Sequence, residues 1–598
     1  MQVLRCHQNS SPPFNDLRLS FLCLLLSFFF QFTLAQSSLF EDISTLAGIA
    51  NGGDNSGIAF ADYDNDGDAD VFISRRQNDN ILYQNQEDGT FKDVSIPAGL
   101  GFAAVTKTSV WGDLDNDGWL DLYLGNFDEA DALYLNNRNG TFTDITQEAG
   151  ISNIGKPLSV LMSDMDNDGN LDIYIANFAS ENVLYHNNGD GTFTDVTQES
   201  GALDASLSMG AIFFDYDNDG DSDLYLVHDG NIANILYRNN GDGTFTDVSE
   251  LAEIGYQGLG MGVDAGDMNR DGFLDLYITN LGPNVLFLNN GNGTFSNGTI
   301  VAEVNDGGMG WSTMAFDFDN DGWEDIYAIN DSHFSPAPNV LYHNLGMAVG
   351  GNPVFEIVEQ NAPISSMQGG YGGAFADIEN DGQLDLLVGN TGSNETNQLF
   401  KNLGNENHWI AFRLEGTQSN RSAIGAKVEI QFPGGRQVEE VTAGSGFVSQ
   451  NSMIIHFGLG VFENVESVQV FWPSGLEDSY NDLSADLFYK IKEDASLEVL
   501  TATQESQPSF RFRNFPNPFS SFTTFSFELT KKTSIHLTIF DRLGRVVMRR
   551  VSSFSNLENP EIKWNGTDAS GQQLPAGIYF YSISSGDSQI AGKVILQK

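Results

Sequence analysis

Cysteine is all but missing. The chain of 598 residues has two, Cys6 and Cys23, both within its first 35 residues. A disulfide framework and a cysteine-ligated zinc site are therefore excluded for everything that follows them. Positive charge is scarce too: 28 Lys and Arg stand against 81 Asp and Glu, a formal net charge of −53. Such a chain repels phosphate backbones and anionic headgroups, so nucleic acid is excluded as an expected partner and an anionic membrane surface is disfavoured. The apolar run Phe21–Phe30 follows Arg5 and Arg18 and precedes Thr33-Leu34-Ala35, and reads as the core of a secretory signal over residues 1–35. It is too short to span a bilayer, so the mature chain is expected to lack a transmembrane segment and both cysteines.

Aspartate is abundant, and its placement is regular. The pattern Asp-x-Asp-x-Asp-Gly-x-x-Asp occurs seven times, at steps of 51, 51, 51, 52, 50 and 60 residues. A self-similar period near 50 marks an array of one repeated supersecondary unit. Positions 1, 3, 5 and 9 are Asp62, Asp64, Asp66 and Asp70 in the first copy, then Asp113, Asp115, Asp117 and Asp121 in the second. The third has Asp164, Asp166, Asp168 and Asp172; the fourth Asp215, Asp217, Asp219 and Asp223. The fifth has Asp267, Asn269, Asp271 and Asp275; the sixth Asp317, Asp319, Asp321 and Asp325; the seventh Asp377, Glu379, Asp381 and Asp385.

Carboxylates at alternate positions, with Gly67 at position 6 for the sharp turn and the Asp68 carbonyl at position 7, present hard oxygen donors to a divalent cation. Calcium accepts six to eight oxygens in flexible geometry and is the expected ion, at up to seven sites. Neither His nor Cys lies in the loops, which disfavours zinc and copper. Asn269 and Glu379 depart from the pattern, and weaker binding is expected at those two loops. Position 9 runs directly into Val71-Phe72-Ile73, Leu122-Tyr123-Leu124 or Leu224-Tyr225-Leu226, so the loop belongs to a β-hairpin and not to an EF-hand.

Each loop follows an apolar segment and precedes two or three more. Five residues before each first Asp stand Gly57, Thr108, Ser159, Gly210, Gly262, Ser312 and Gly372, all small, as expected where innermost strands crowd an axis. Next come Leu-Tyr/Phe-x-Asn strands such as Leu82-Tyr83 and Leu399-Phe400, turns such as Asn188-Gly189-Asp190-Gly191, and strands beginning Phe91, Phe142, Phe193, Phe245, Phe295 and Phe355. Four short strands repeated radially describe propeller blades. The seventh unit lacks its fourth strand, while a spare, Phe40-Glu41-Asp42-Ile43, precedes the first loop. The expected fold is all-β: a seven-bladed β-propeller over residues 39–404, its last blade completed by the N-terminal strand, followed by two smaller all-β modules.

On these loops and strands the repeat resembles the FG-GAP/VCBS family, which includes the integrin α-chain propeller; that resemblance implies calcium in the loops. Beyond residue 405 the period stops. Asn420-Arg421-Ser422-Ala423-Ile424-Gly425-Ala426, Gly444-Ser445-Gly446-Phe447, His456-Phe457-Gly458-Leu459-Gly460 and Val470-Phe471-Trp472-Pro473-Ser474-Gly475 resemble the ASPIC/UnbV domain, which accompanies FG-GAP repeats in cartilage acidic protein; residues 405–498 are assigned to it. Structural roles are expected for His408, Arg421 and His456, since no nucleophile or carboxylate dyad can be tied to them. After a polar linker, Thr501–Gln507, residues 510–598 resemble a type IX secretion sorting domain on Phe515-Pro516-Asn517-Pro518-Phe519, Ile539-Phe540-Asp541-Arg542-Leu543-Gly544-Arg545, Leu574-Pro575-Ala576-Gly577-Ile578-Tyr579 and Lys598. That resemblance implies an Ig-like sandwich, export by the type IX machinery and removal after export.

The expected function is a secreted, cell-surface, calcium-binding propeller that mediates adhesion or binds an extracellular glycan or protein. The alternatives are a polysaccharide-degrading lyase or hydrolase on the same scaffold, hinted at only by His333 and His343, and a structural surface-layer component. Asn126, Asn177, Asn280, Asn330 and Asn390, which end second strands, either line a binding face or form turns, the latter being the expected role. Partner contacts are expected at the irregular sixth and seventh units, around Asp331-Ser332-His333-Phe334 and before Asp377.

Overall fold

The computed structural model describes residues 39–500 and 510–597 apart from 87, 102–103, 334, 349–350, 359–361, 393, 496, 530–532, 541, 543–544, 555–560, 569–570 and 586–587. The signal over 1–35, the Thr501–Gln507 linker, Phe334, Asp541, Leu543, Gly544 and Lys598 lie outside the described residues. Two compact units emerge, one ending near residue 497 and one formed mainly by residues 498–598.

Within the first unit, residues 40–402 form seven separate four-stranded antiparallel sheets. Blade 1 comprises Asn55–Ala61, Asp70–Arg75, Ile81–Asn85 and Phe91–Asp93, from axis to rim. Blades 2 to 6 repeat this order, beginning at Thr106–Gly112, Pro157–Ser163, Ser208–Phe214, Gly260–Gly266 and Gly310–Phe316. Blade 7 has Gly370–Ala376, Asp385–Asn390 and Gln398–Asn402, and its outer strand is Phe40–Asp42, in antiparallel register with Phe40 opposite Asn402. The N-terminal strand therefore completes the last blade, as its sequence requires.

The cores lie between blades, because successive strand residues point to opposite faces. Val71 and Ile73 pack with Ala374, Ala376 and Leu387 of blade 7, whereas Phe72 packs with Trp111 and Leu122 of blade 2. Each such fully buried side chain contributes about 1.5–3 kcal/mol. The sheets do not merge into one barrel; polar side chains join them. The Asn that closes each third strand donates to a backbone carbonyl in the acidic loop of the preceding blade: Asn136 to Tyr63 (2.9 Å), Asn187 to Leu114 (3.0 Å), Asn239 to Met165 (2.9 Å) and Asn289 to Tyr216 (2.8 Å). Asn344 to Met268 (2.9 Å), Asn402 to Phe318 (2.6 Å) and Asn85 to Ile378 (2.9 Å) complete the ring.

The second module forms two sheets, one including His408–Glu415 and Ile455–Gly460, the other ordered Gly435–Glu440, Lys427–Phe432, Asn464–Phe471, Glu477–Ser484. It belongs to the same compact unit as the propeller, and its segment Ala443–Gln450 runs into the axis. Gly446 exchanges backbone bonds with Val263 (2.8 and 2.9 Å), Gln450 pairs with Ile58 and Phe60, the Phe447 amide donates to Ser312 Oγ (3.0 Å), and Gly373 donates to Ser449 Oγ (3.1 Å). The small residues of the innermost strands thus do more than let strands crowd together: they admit this plug. A Cβ on Gly57 would stand 2.1 Å from the Val448 carbonyl oxygen.

The C-terminal unit is a sandwich. One sheet has Phe510–Phe515, Thr523–Leu529 and Glu561–Trp564; the other is ordered Val546–Phe554, Thr533–Phe540, Gly577–Ser585, Ser588–Leu596. Phe525, Leu537, Trp564 and Ile583 lie in its core.

Candidate metal centres

Each acidic loop is built around its first aspartate. One oxygen of Asp113 accepts the Asp117 amide (2.9 Å) and the other the Gly118 amide (2.6 Å). The glycine amide is held in this way in every loop, from Asp62 (3.1 Å) to Asp377 (2.7 Å). The fold serves this turn: Gly67 has φ +101°, a region closed to most side chains. The aspartate at position 9 is buried, and one of its oxygens accepts the amide of the third-strand Asn, as in Asn85 to Asp70 (2.8 Å) and Asn136 to Asp121 (2.8 Å). Position 9 therefore couples the loop to the blade.

Carboxylate oxygens of Asp62, Asp64 and Asp66 lie within 4.8 Å of one another, as do those of Asp113, Asp115 and Asp121 and those of Asp164, Asp166 and Asp168. Among the described residues, oxygens of Asp62, Asp64, Asp70, Asp166, Asp217 and Asp275 are buried without a hydrogen-bond donor. Burial, reinforced by neighbouring carboxylates, pushes Asp70 up to about 9, Asp377 to about 8, and Asp113, Asp164 and Asp267 to about 7. Clustered lone pairs that burial strips of water fit a hard cation, whose charge would hold the group ionised. The all-oxygen donor set of loops 1 and 2 suits calcium or magnesium better than softer metals.

Position 4, to which no role was assigned from sequence, links the loops to one another. Asn65 donates to Gly118 O (2.8 Å), Asn116 to Gly169 O (2.9 Å), Asn218 to Gly272 O (3.1 Å), Asn320 to Gly382 O (2.9 Å) and Asn380 to Gly67 O (3.3 Å). Asn167 reaches the Asp221 carboxylate (2.7 Å), and Arg270 stands in for asparagine, donating to Gly322 O. The seven loops form a closed chain of hydrogen bonds.

Histidines from outside the loops reach two of them. His186 Nδ1 lies 3.1 Å from Asp172 and 3.7 Å from Asp166, and His343 Nε2 lies 3.3 Å from Asp319 and 3.6 Å from Asp321. Both rings come from the third strand, at the variable position of Leu-Tyr-x-Asn. The carboxylates, which accept from the ring nitrogen and add their charge, raise His186 to about 9 and His343 to about 11. The same position supplies Gln84 to Asp64 (2.6 Å) and Lys401 to Glu379. Alternation along the third strand was the available signal, since Tyr83 and Asn85 face inward on either side of Gln84.

The second module covers the loop end. Arg413 Nη1 is 2.8 Å from Asp62, Lys427 Nζ is 3.0 Å from Asp215, Ser422 Oγ accepts the Asp113 amide (3.0 Å), and His456 Nε2 is 2.7 Å from Asn320 Oδ1. His456 is buried against Trp409, and burial holds it down to about 3. His408 pairs with Asp486 (2.7 Å) and Arg421 with Glu415 (2.7 Å), within the module. The Asn residues ending second strands are buried and brace turns: Asn126 donates to Ala130 O, Asn177 to Glu181 O, Asn330 to Pro338 O and Asn390 to Thr396 O. His333 joins the sixth and seventh blades through Asp331 (3.1 Å) and Glu395 (2.9 Å).

Residues 62–388 match the FG-GAP-like repeat family in six overlapping segments. Residues 416–498 match the ASPIC and UnbV family, and residues 513–597 the secretion system C-terminal sorting domain. The chain is 28% identical over 469 residues to cartilage acidic protein 1 of Xenopus tropicalis, covering 70% of each chain, and 27% identical over 474 residues to that of Homo sapiens, covering 72% of this chain and 71% of the relative. The crystallised BBS1N, in its complex with ARL6DN, is similar at 10% identity with a TM-score of 0.40, over 61% of this chain and 97% of that one. The sorting domain directs the chain out of the cell to its surface. No helix among the described residues is long and apolar enough to cross a membrane.

Proposed function

Because the chain belongs to the FG-GAP-like repeat family, we propose that it is a calcium-rigidified extracellular binding protein that mediates adhesion at the cell surface. The observation that carries this reading is the closed chain of seven acidic loops, with carboxylates clustered in loops 1, 2, 3 and 6 and buried oxygens in several that lack a donor among the described residues. Calcium bound by Asp62, Asp64, Asp66 and Asp70, and by the equivalent sets, would neutralise that charge and stiffen the ring. The loops with Asn269 and Glu379 bind more weakly, the first having lost a carboxylate and the second having its carboxylate paired with Lys401. With the second module over the loop end, calcium serves the scaffold, and ligand is met elsewhere on the surface.

The test is calcium titration by calorimetry, followed by glycan-array and cell-adhesion assays on the loaded protein, with sugar-release assays in parallel. Calcium-dependent stability with ligand capture and no sugar release supports the reading. Turnover of a polysaccharide overturns it in favour of an enzyme.

A further inference from the structure

At the axis, the residue before each small one breaks the repeat's symmetry. Lys107, Leu158, Met209, Met261, Trp311 and Tyr371 occupy it in blades 2 to 7. Leu158, Met209, Met261 and Tyr371 pack in one cluster with Phe447 of the plug, and Trp311 and Phe127 pack against it. Phe447 enters from the loop end, and these side chains, which come from the starts of the innermost strands, stand toward the opposite mouth of the axis.

That mouth gathers cations in a chain that has few. Lys107 is 8% exposed and forms no ion pair among the described residues; its Nζ lies 5.3 Å from the ring centroids of both Phe127 and Tyr371 and 3.5 Å from the Tyr371 hydroxyl. Arg76 stands 4.9 Å from the centre of the Tyr371 ring and pairs with Asp54, and Lys156 lies 5.7 Å from that of Phe127. Trp311 stacks obliquely on Tyr371 at 4.6 Å, and its indole Nε1 is buried without an acceptor among the described residues. Burial lowers Lys107 to about 7. An unpaired buried ammonium and an unmatched N–H are costly unless a ligand supplies the missing acceptors.

We propose that this axial mouth binds an acidic saccharide through its carboxylate, with Lys107 as the counter-charge, the Trp311 N–H as a second donor, and the rings of Trp311 and Phe127 as the apolar platform. The inference rests on the binding reading above and narrows it to one site. A single ammonium among aromatic rings suits one carboxylated sugar ring: the rings cover its apolar face and the donors take its oxygens. An acidic peptide offers carboxylates without that face.

The test titrates the calcium-loaded full chain with cellobiouronic acid, which ends in a glucuronate, with cellobiose, and with acetylated tetraglutamate. Cellobiouronic acid binds measurably; cellobiose and the peptide bind at least about tenfold more weakly. Lys107→Met weakens uronate binding by about tenfold or more while its melting temperature holds or rises, since an unpaired buried charge is gone. Trp311→Phe, which keeps a ring and removes the N–H, gives a smaller loss. No uronate binding, binding undiminished in both variants, or equal binding of tetraglutamate overturns the proposal. If adhesion persists in Lys107→Met at wild-type strength, the mouth is refuted and the adhesion reading stands; if the wild type captures no glycan or protein at all, the adhesion reading itself fails.

Discussion

The side-chain amide of Asn85 donates to the backbone carbonyl of Ile378, 2.9 Å away and 293 residues along the chain. It is the one member of the seven-bond ring that joins the first blade to the last, and its loss leaves a buried carbonyl unpaired. Asn85→Ala is expected to cost about 1–3 kcal/mol, read as a lower denaturation midpoint. Asn137→Ala, at an exposed turn, is the control and should shift it little.

Calcium removal should destabilise the first unit strongly. At a calcium concentration ten times the dissociation constant, linkage supplies ~1.4 kcal/mol per site, so several sites together rival the ~5–15 kcal/mol stability of a typical domain. A melting temperature unchanged in EGTA would contradict calcium loading of the loops.

Without metal, stability should fall as pH rises. Asp113, Asp164 and Asp267, near 7 when folded, and Asp377, near 8, all lie above the 3.8 of a free aspartate, so the folded state holds more protons through that window. The stabilisation is complete below about pH 4 and disappears as pH climbs through 7 to 8. Melting curves in chelator between pH 5 and 8 should therefore decline, and saturating calcium should flatten them.

The plug should hold the two modules of the first unit together. Phe447 is fully buried against Trp311 and Tyr371. Phe447→Ala should cost about 3–5 kcal/mol and expose the Ala443–Gln450 segment to protease. Undiminished protease resistance would show that the axis needs no filling.

The sorting domain should be absent from the protein at the surface. Mass spectrometry of surface-released material should find no peptides beyond about residue 510, and stoichiometric recovery of the sandwich would refute processing.

Much of the fold was legible because a repeat states its own register seven times. The loop pattern, the small residue five positions earlier, and the spare Phe40–Asp42 strand were enough to place every blade and its closure. The candidate ligand sets were legible for the same reason, as carboxylates at alternate positions in one hairpin. Position 4 and the third-strand Asn were visible too, but their partners, mostly carbonyls, lie in neighbouring blades, and pairings more than 50 residues apart leave no local periodicity. The contact of His186 with the third loop and of His343, read from sequence only as a hint of catalysis, with the sixth was not legible, because both rings reach their loops from a different strand.

By itself, the order of residues determined where each strand begins, which strand faces the axis, and where oxygen ligands cluster, since all three depend on short-range periodicity and turn chemistry. Only the tertiary structure decided that the second module covers the loops, that its Phe447 fills the axis, and that Lys107, Trp311 and Tyr371 meet at the far mouth. Those residues come from elements separated by up to hundreds of positions, and what joins them is burial in a common core, a property of the folded volume that no local pattern encodes.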